Sequence, residues 1–203
     1  MKIIMVAGKA GSGKDTFCKL AMDLYGDKIW RFAFADELKE IAQDMGWDGE
    51  KDNRGRQLLI DIGTDGRKYN KNLWVDKVAD QIIDVMELGY KIDYAVITDF
   101  RYENEYNHMA YLFDKEDIIT ARIDRDFSSS LTTDQQADES ETGLLMFPFD
   151  YIIENEGDMD YFRQGIQLMF DELNKGESDR RIINCAERKI VSNGIAGVVS
   201  GVL

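Results

Sequence analysis

The sequence predicts an α/β fold in which a parallel sheet lies between helices on both faces. Three observations carry that expectation. Short apolar runs rich in branched residues alternate with longer stretches of helical spacing, the pattern of repeated strand–helix–strand units. The first run, Lys2 to Ala7, passes straight into a turn with three glycines and then into a helical pattern. At 203 residues, 44% hydrophobic and 32% charged, the chain has the balance of one globular domain with a sizeable core.

Taken in order, Lys2-Ile3-Ile4-Met5-Val6-Ala7 reads as a buried strand and Phe17-Cys18-Lys19-Leu20-Ala21-Met22 as the start of a helix. Ile29 to Phe34 reads as a second strand, after which Ala35-Asp36 caps a helix to about Met45. Gly46–Asn53 is polar and loop-like. Helical spacing returns in Arg56–Ile62 and in Leu73–Leu88, with Gly63–Lys68 between them as a polar turn. Tyr94–Asp99 is a strand that stays apolar until its closing aspartate; a helix over Glu103–Phe113 and a strand over Ile118–Ile123 follow. Asp126–Ser140 is polar and without periodicity. Tyr151-Ile152-Ile153 reads as a strand, Asn155-Glu156-Gly157 as a turn and Met159–Leu173 as an amphipathic helix. The tail ends in a glycine-punctuated apolar run with a hairpin signal at Asn193-Gly194. Ligands of such sheets bind at the carboxyl ends of the strands. The glycine-rich turn, Asp99 and the segment after Ile123 therefore gather at one rim.

Charge narrows the partners. A net charge of −14 and a pI near 4.5 argue against a surface built for nucleic acid or anionic lipid. Any phosphate site must be a local basic cluster in an acidic molecule. Cys18 and Cys185 are far apart without metal-type spacing, and Cys18 is expected as a buried free thiol, which fits a reducing cytoplasm. No signal peptide is expected, since too few apolar residues separate Lys2 from the glycines. No apolar stretch approaches membrane-spanning length.

Gly8-Lys9-Ala10-Gly11-Ser12-Gly13-Lys14-Asp15-Thr16 is a phosphate-binding loop in motif and in context. Backbone N–H groups of Gly11, Ser12 and Gly13 and of the helix N-terminus face an anion, and Lys14 follows the terminal phosphates. Asp15 stands where a hydroxyl is usual, so magnesium is expected to be reached through water by Asp15 or Asp99, with Thr16 free to bond a phosphate oxygen. Asp99-Phe100-Arg101 has two readings. Asp99 orients magnesium-bound water and Arg101 bridges the phosphates being joined; or Asp99 caps the following helix and Arg101 pairs with Glu105. Lys39, Arg56 and Arg67 are candidate cations for an acceptor, and Arg125, at a strand's carboxyl end beside the polar segment, is placed to reach phosphates. Trp74 stacks on a base or packs in the core. His108, the only histidine, lies in a helix with no nucleophile arranged beside it and reads as structural.

The ordered set of motifs resembles the phage-type deoxynucleoside monophosphate kinases, within the nucleoside monophosphate kinase group of phosphate-loop folds. The set comprises Gly8 to Thr16, Phe34-Ala35 followed by Lys39, Arg56-Gln57-Leu58-Leu59 before Gly63-Thr64-Asp65, and Trp74-Val75. It continues with Thr98-Asp99-Phe100-Arg101 with Asn104-Glu105, Ser140-Glu141, and Ile153-Glu154-Asn155-Glu156-Gly157. The resemblance runs from Lys2 to about Leu173. It implies a three-layer α-β-α P-loop kinase fold with a helical acceptor-binding insertion at about 36–90 and a lid at about 125–147. It also implies transfer of the ATP γ-phosphoryl group to a deoxynucleoside 5′-monophosphate, with Mg2+. Gly11–Thr16 then hold ATP phosphates, Asn155 and Gly157 lie near the adenine, and Lys39, Arg56, Asp99 and Arg101 serve the acceptor. By the same analogy the partners are small nucleotides, the chain is a homodimer, and its place is a bacterial or phage-infected host cytoplasm. The chain departs from its relatives at Asp138, where a histidine is frequent, and at Ala10 and Gly11, where some carry basic residues.

On these grounds 1–174 form the kinase domain and 175–203 an extension of unassigned role. Two other functions fit the same loop. One is a kinase for a different acceptor, such as dephospho-coenzyme A or a ribonucleoside monophosphate. The other is a non-catalytic ATP-binding switch, which would have no need of the arginine and lysine cluster.

Overall fold

The computed structural model describes residues 1–125, 143–144 and 146–175, together with the backbone of 181–184 and 189–192. The first strand, β1 (Lys2–Ala7), feeds α1 (Lys14–Tyr25), and β2 (Ile29–Phe32) feeds α2 (Phe34–Asp44). Two further helices, α3 (Asn53–Tyr69) and α4 (Leu73–Glu87), precede β3 (Tyr94–Ile97). Then come α5 (Glu103–Leu112), β4 (Ile118–Asp124), β5 (Tyr151–Glu154), α6 (Met159–Lys175), β6 (Arg181–Asn184) and β7 (Lys189–Ser192).

Among the described residues these strands form one sheet in the order β2-β3-β1-β4-β5-β6-β7. Every neighbouring pair is parallel except β6 and β7. The expected α/β architecture is present. β1 is central, with Ile4 opposite Val96 on one side and Ile119 on the other. Successive side chains of a strand point to opposite faces, and β1 is apolar on both. Ile3, Met5 and Ala7 pack toward α2, α4 and α5, while Ile4 and Val6 pack toward α1 and α6. A strand buried on both faces reads as an unbroken apolar run, which is why it was legible in the sequence.

Two local expectations are corrected. The second strand ends at Phe32; Phe34 already opens α2, and neither Ala35 nor Asp36 caps it. Gly63–Lys68 is no turn. It is the second half of α3, and its glycines serve packing rather than bending. A Cβ on Gly66 would overlap the Trp74 ring, and one on Gly63 would stand 2.9 Å from Leu38 Cδ2. In the tail β6 and β7 pair antiparallel, and the hairpin expected at Asn193-Gly194, like Cys185, lies outside the described residues. Through β6 that tail joins the same sheet beside β5.

Cys18 is buried and unbridged, its thiol pushed up to about 11 by burial. His108 is structural, as expected: Nε2 lies 2.6 Å from Asp76 Oδ1 and Nδ1 lies 3.0 Å from Asn72 Nδ2, tying α5 to α4. Among the described residues no helix is long and apolar enough to cross a membrane.

Candidate active site

The loop between β1 and α1 is shaped by its glycines and by a clasp from β5. Gly13 sits at φ 109°, in the left-handed region that side chains other than glycine avoid, and turns the chain into α1. Ser12 N–H donates to Lys9 O at 3.0 Å. Lys14 Nζ donates to Gly8 O at 2.6 Å and Lys9 O at 2.9 Å, so its ammonium lies over the loop. Asn155, just past β5, donates from Nδ2 to Ser12 O at 2.8 Å. That amide packs so closely that a Cβ on Gly13 would come within 2.6 Å of it.

Ser12 Oγ is buried and has no hydrogen-bond partner, alone in this among the described side chains. Leaving such a hydroxyl unpaired costs roughly 1–3 kcal/mol. A phosphate oxygen accepting from it would remove that cost. Together with Lys14 and the N-terminus of α1, this makes the loop fit a phosphate chain.

In front of the loop, at the carboxyl ends of β1, β2 and β3, lies a cleft of about 440 Å³. Nine residues singled out in the sequence line it: Gly11, Lys14 and Asp15 from the loop, Lys39 from α2, Arg56 and Arg67 from α3, Trp74 from α4, and Asp99 and Arg101 after β3. Ser12, Gly13, Thr16, Asn155, Gly157 and Arg125 are not on its lining. Arg125 is exposed, directly after β4. Most of the lid segment, 126–142 with Asp138 and Ser140-Glu141, lies outside the described residues.

The α2 side of the cleft is held by the segment after β3. Asp99 receives Phe34 N–H on Oδ1 at 2.9 Å and Ala35 N–H on Oδ2 at 2.8 Å. It therefore caps a helix, but the helix is α2 rather than the one that follows it. Burial pushes this carboxyl up, while the two backbone N–H groups and Arg101 pull it down. Glu105 is also buried, and its Oε2 receives the backbone N–H groups of Arg101 at 2.8 Å and Tyr102 at 3.1 Å. Burial, aided by the nearby charge of Asp99, raises Glu105 to about 8.

The remaining cations are fixed one by one. Arg56 Nε donates to Lys51 O at 2.8 Å, and the Arg67 guanidinium stands 4.5 Å from the Tyr102 ring centroid. Trp74 is 6% exposed and its Nε1 donates to Gly63 O at 3.0 Å, so the indole is chiefly core, with an edge on the cleft.

Several lining residues were given no place in the site by the sequence reading: Arg31 and Tyr102, Glu105 beyond its pairing with Arg101, and the apolar wall of Phe34, Leu38 and Leu59. Arg31 carried a signal, a lone charge near the end of an otherwise apolar strand. Glu105 carried another, an acidic residue at the third position of a helix, able to reach back to the cap.

The sequence matches no family model and no curated protein. Solved structures similar to it include the dephospho-CoA kinase from Campylobacter jejuni, at 18% identity over 87% of this chain and 99% of that one, TM-score 0.45. The APS kinase of Mycobacterium tuberculosis is similar at 13% identity over 85% and 96%, TM-score 0.44. A sugar kinase from Janibacter is similar at 12% identity over 86% and 93%, TM-score 0.45.

Proposed function

We propose that the chain is an ATP-dependent kinase that transfers the γ-phosphoryl group to a deoxynucleoside 5′-monophosphate, giving the diphosphate. The observation that carries this reading is that the phosphate-loop lysine, Lys14, lines the same cleft as Lys39, Arg56, Arg67 and Arg101. A switch needs only the first; a kinase needs both. The motif series that resembles phage-type deoxynucleoside monophosphate kinases supports the choice of acceptor.

The acceptor phosphate has a second pKa near about 6 and is an anionic nucleophile at neutral pH. No side chain has to remove a proton, in keeping with the structural role of His108. An acceptor oxygen forms the new bond to the γ-phosphorus as the bond to the β–γ bridging oxygen breaks, and ADP leaves with that oxygen. The protein supplies position and charge: Lys14, Arg101 and Arg125 neutralise the phosphoryl oxygens.

The residues present fit a magnesium ion. Asp15 and Asp99 both line the cleft, two carboxylate side chains close to where the phosphates would lie. That donor set suits an ion that keeps several waters and binds phosphate oxygens. When bound, it would add positive charge at the phosphates, with Asp15 or Asp99 reaching it through water.

The test is a panel of acceptors given to the full chain with ATP, read as ADP formed. Turnover with deoxynucleoside monophosphates is the expected result. Turnover confined to dephospho-coenzyme A or to ribonucleotides would reassign the acceptor, and ATP binding without turnover would make the chain a switch.

A further inference from the structure

Arg31 is a cation of the cleft that the proposed reaction has not used. It stands near the carboxyl end of β2, on the cleft lining, and is bound to Asp36 of α2. Nη1 donates to Asp36 Oδ2 at 2.7 Å and Nη2 to Oδ1 at 3.4 Å. The same Oδ1 receives Lys39 Nζ at 2.5 Å. Asp36 is therefore a bridge holding a guanidinium and an ammonium side by side, and both cations reach the cleft while Asp36 does not.

Donor arithmetic shows what the pair can still bind. A guanidinium has five N–H donors and an ammonium three. Asp36 takes two from Arg31 and one from Lys39, and among the described residues the rest have no protein partner. Both cations share one hydrogen-bonded carboxylate, which leaves most of their donors open. Asp15 and Asp99 also attract the guanidinium and offset part of its charge, but they take none of its donors. A forked guanidinium beside an ammonium suits a terminal phosphate, which presents several oxygens and close to two negative charges.

We propose that Arg31, paired with Lys39 across Asp36, is a substrate-binding residue for the acceptor's phosphate group. The assignment to the acceptor rests on the kinase reading, because the pair sits on β2 and α2 rather than on the loop that fits the ATP phosphates. The bland alternative is a surface ion pair, for which Arg31, with 36% of its side chain exposed, would matter little to any ligand.

Calorimetric titration separates the two. Wild type, Arg31→Ala and Arg31→Lys are titrated with ATP, with deoxynucleoside monophosphates, with the matching deoxynucleosides, and with inorganic phosphate on ATP-loaded protein. Thermal melting confirms that each variant is folded. Arg31→Ala is expected to weaken monophosphate binding by about 10- to 100-fold, the loss of a charge-assisted bond. It should leave ATP and the phosphate-free nucleosides within about twofold, and Arg31→Lys should recover part of the loss. If wild type takes no deoxynucleotide but Arg31→Ala still weakens inorganic phosphate, the deoxynucleotide reading fails and the phosphate subsite stands. Unchanged binding of both monophosphate and phosphate, or an equal loss for ATP and nucleosides, would overturn the proposal.

Discussion

On the loop side of the cleft, Gly8 to Thr16 are contiguous, and their shape comes mainly from glycine dihedrals and bonds a few residues long, with one distant clasp, Asn155 to Ser12 O. Lys14, for example, reaches back only to Gly8 and Lys9. On the proposed acceptor side the lining runs from Arg31 to Glu105; Arg31, Lys39 and Arg56 are held by partners three to five residues away, but the helices that carry this wall are set by partners more distant in the chain. Asp99 fixes the start of α2 from 64 and 65 residues away, and Trp74 fixes α3 from the next helix. The loop is thus a largely local device, tied to the rest of the sheet by Asn155. The acceptor wall is only as well placed as the packing of three helices on one face of the sheet. Substrate choice, on the proposed reading, resides in the wall that depends on tertiary contacts.

The sharpest way to test this division is Lys14→Ala. It should lower turnover by at least about a hundredfold, as the loss of a principal charge at the reacting phosphates does, while the melting temperature and acceptor binding stay near wild type. Near-normal turnover would sink the mechanism. On the other wall, Gly66→Ala should destabilise the fold by about 3 kcal/mol, since a Cβ there would overlap the Trp74 ring and force α3 from α4. Chemical denaturation reads this directly, and acceptor KM should rise more than ATP KM. Equal effects on both substrates would mean that the two walls are not independent.

A smaller loss is expected for Asp99→Ala, about 2 kcal/mol, because two N–H groups at the start of α2 lose their acceptor. Asp99→Asn, which keeps one carbonyl oxygen, should recover part of it. The smallest effect is that of Asp36→Asn on stability. Burial raises this carboxyl, but the bonds from Arg31 and Lys39 outweigh it and hold the group below its ordinary 3.8. A lowered carboxylate stabilises the fold above the unfolded value and loses that contribution as pH falls through the folded one. Asp36→Asn should therefore cost under about 1 kcal/mol at neutral pH, less in high salt, and converge with wild type in acid. A gap that widens toward low pH would contradict the assignment.

The parts legible in the sequence share a physical property. The strands were readable because β1 and β3 are apolar on both faces, and the loop because its function needs glycines at fixed spacing next to a lysine. The stretch Gly63–Lys68 was misread for the complementary reason. Two glycines among polar residues signal a turn when only local preference counts, yet Leu38 and Trp74 need bare backbone on the face of a helix. Asp99 was correctly marked as a rim residue, but spacing alone pointed its capping to the following helix rather than to α2. Arg31 was passed over because a single charge in a short strand gains meaning only when Asp36 and Lys39 are seen beside it.

By itself, then, the sequence determined the α/β class, the positions of strands β1 to β5 and the glycine-rich loop, since each is written in residues a few places apart. Only the tertiary structure decided that α3 is continuous, that Asp99 serves α2, and that a second set of cations with Arg31 among them shares the cleft with Lys14. Those features rest on close approach and on hydrogen bonds between elements far apart in the chain. Such contacts leave little local trace, because each partner is an ordinary residue until the sheet brings it within about 3 Å of the other.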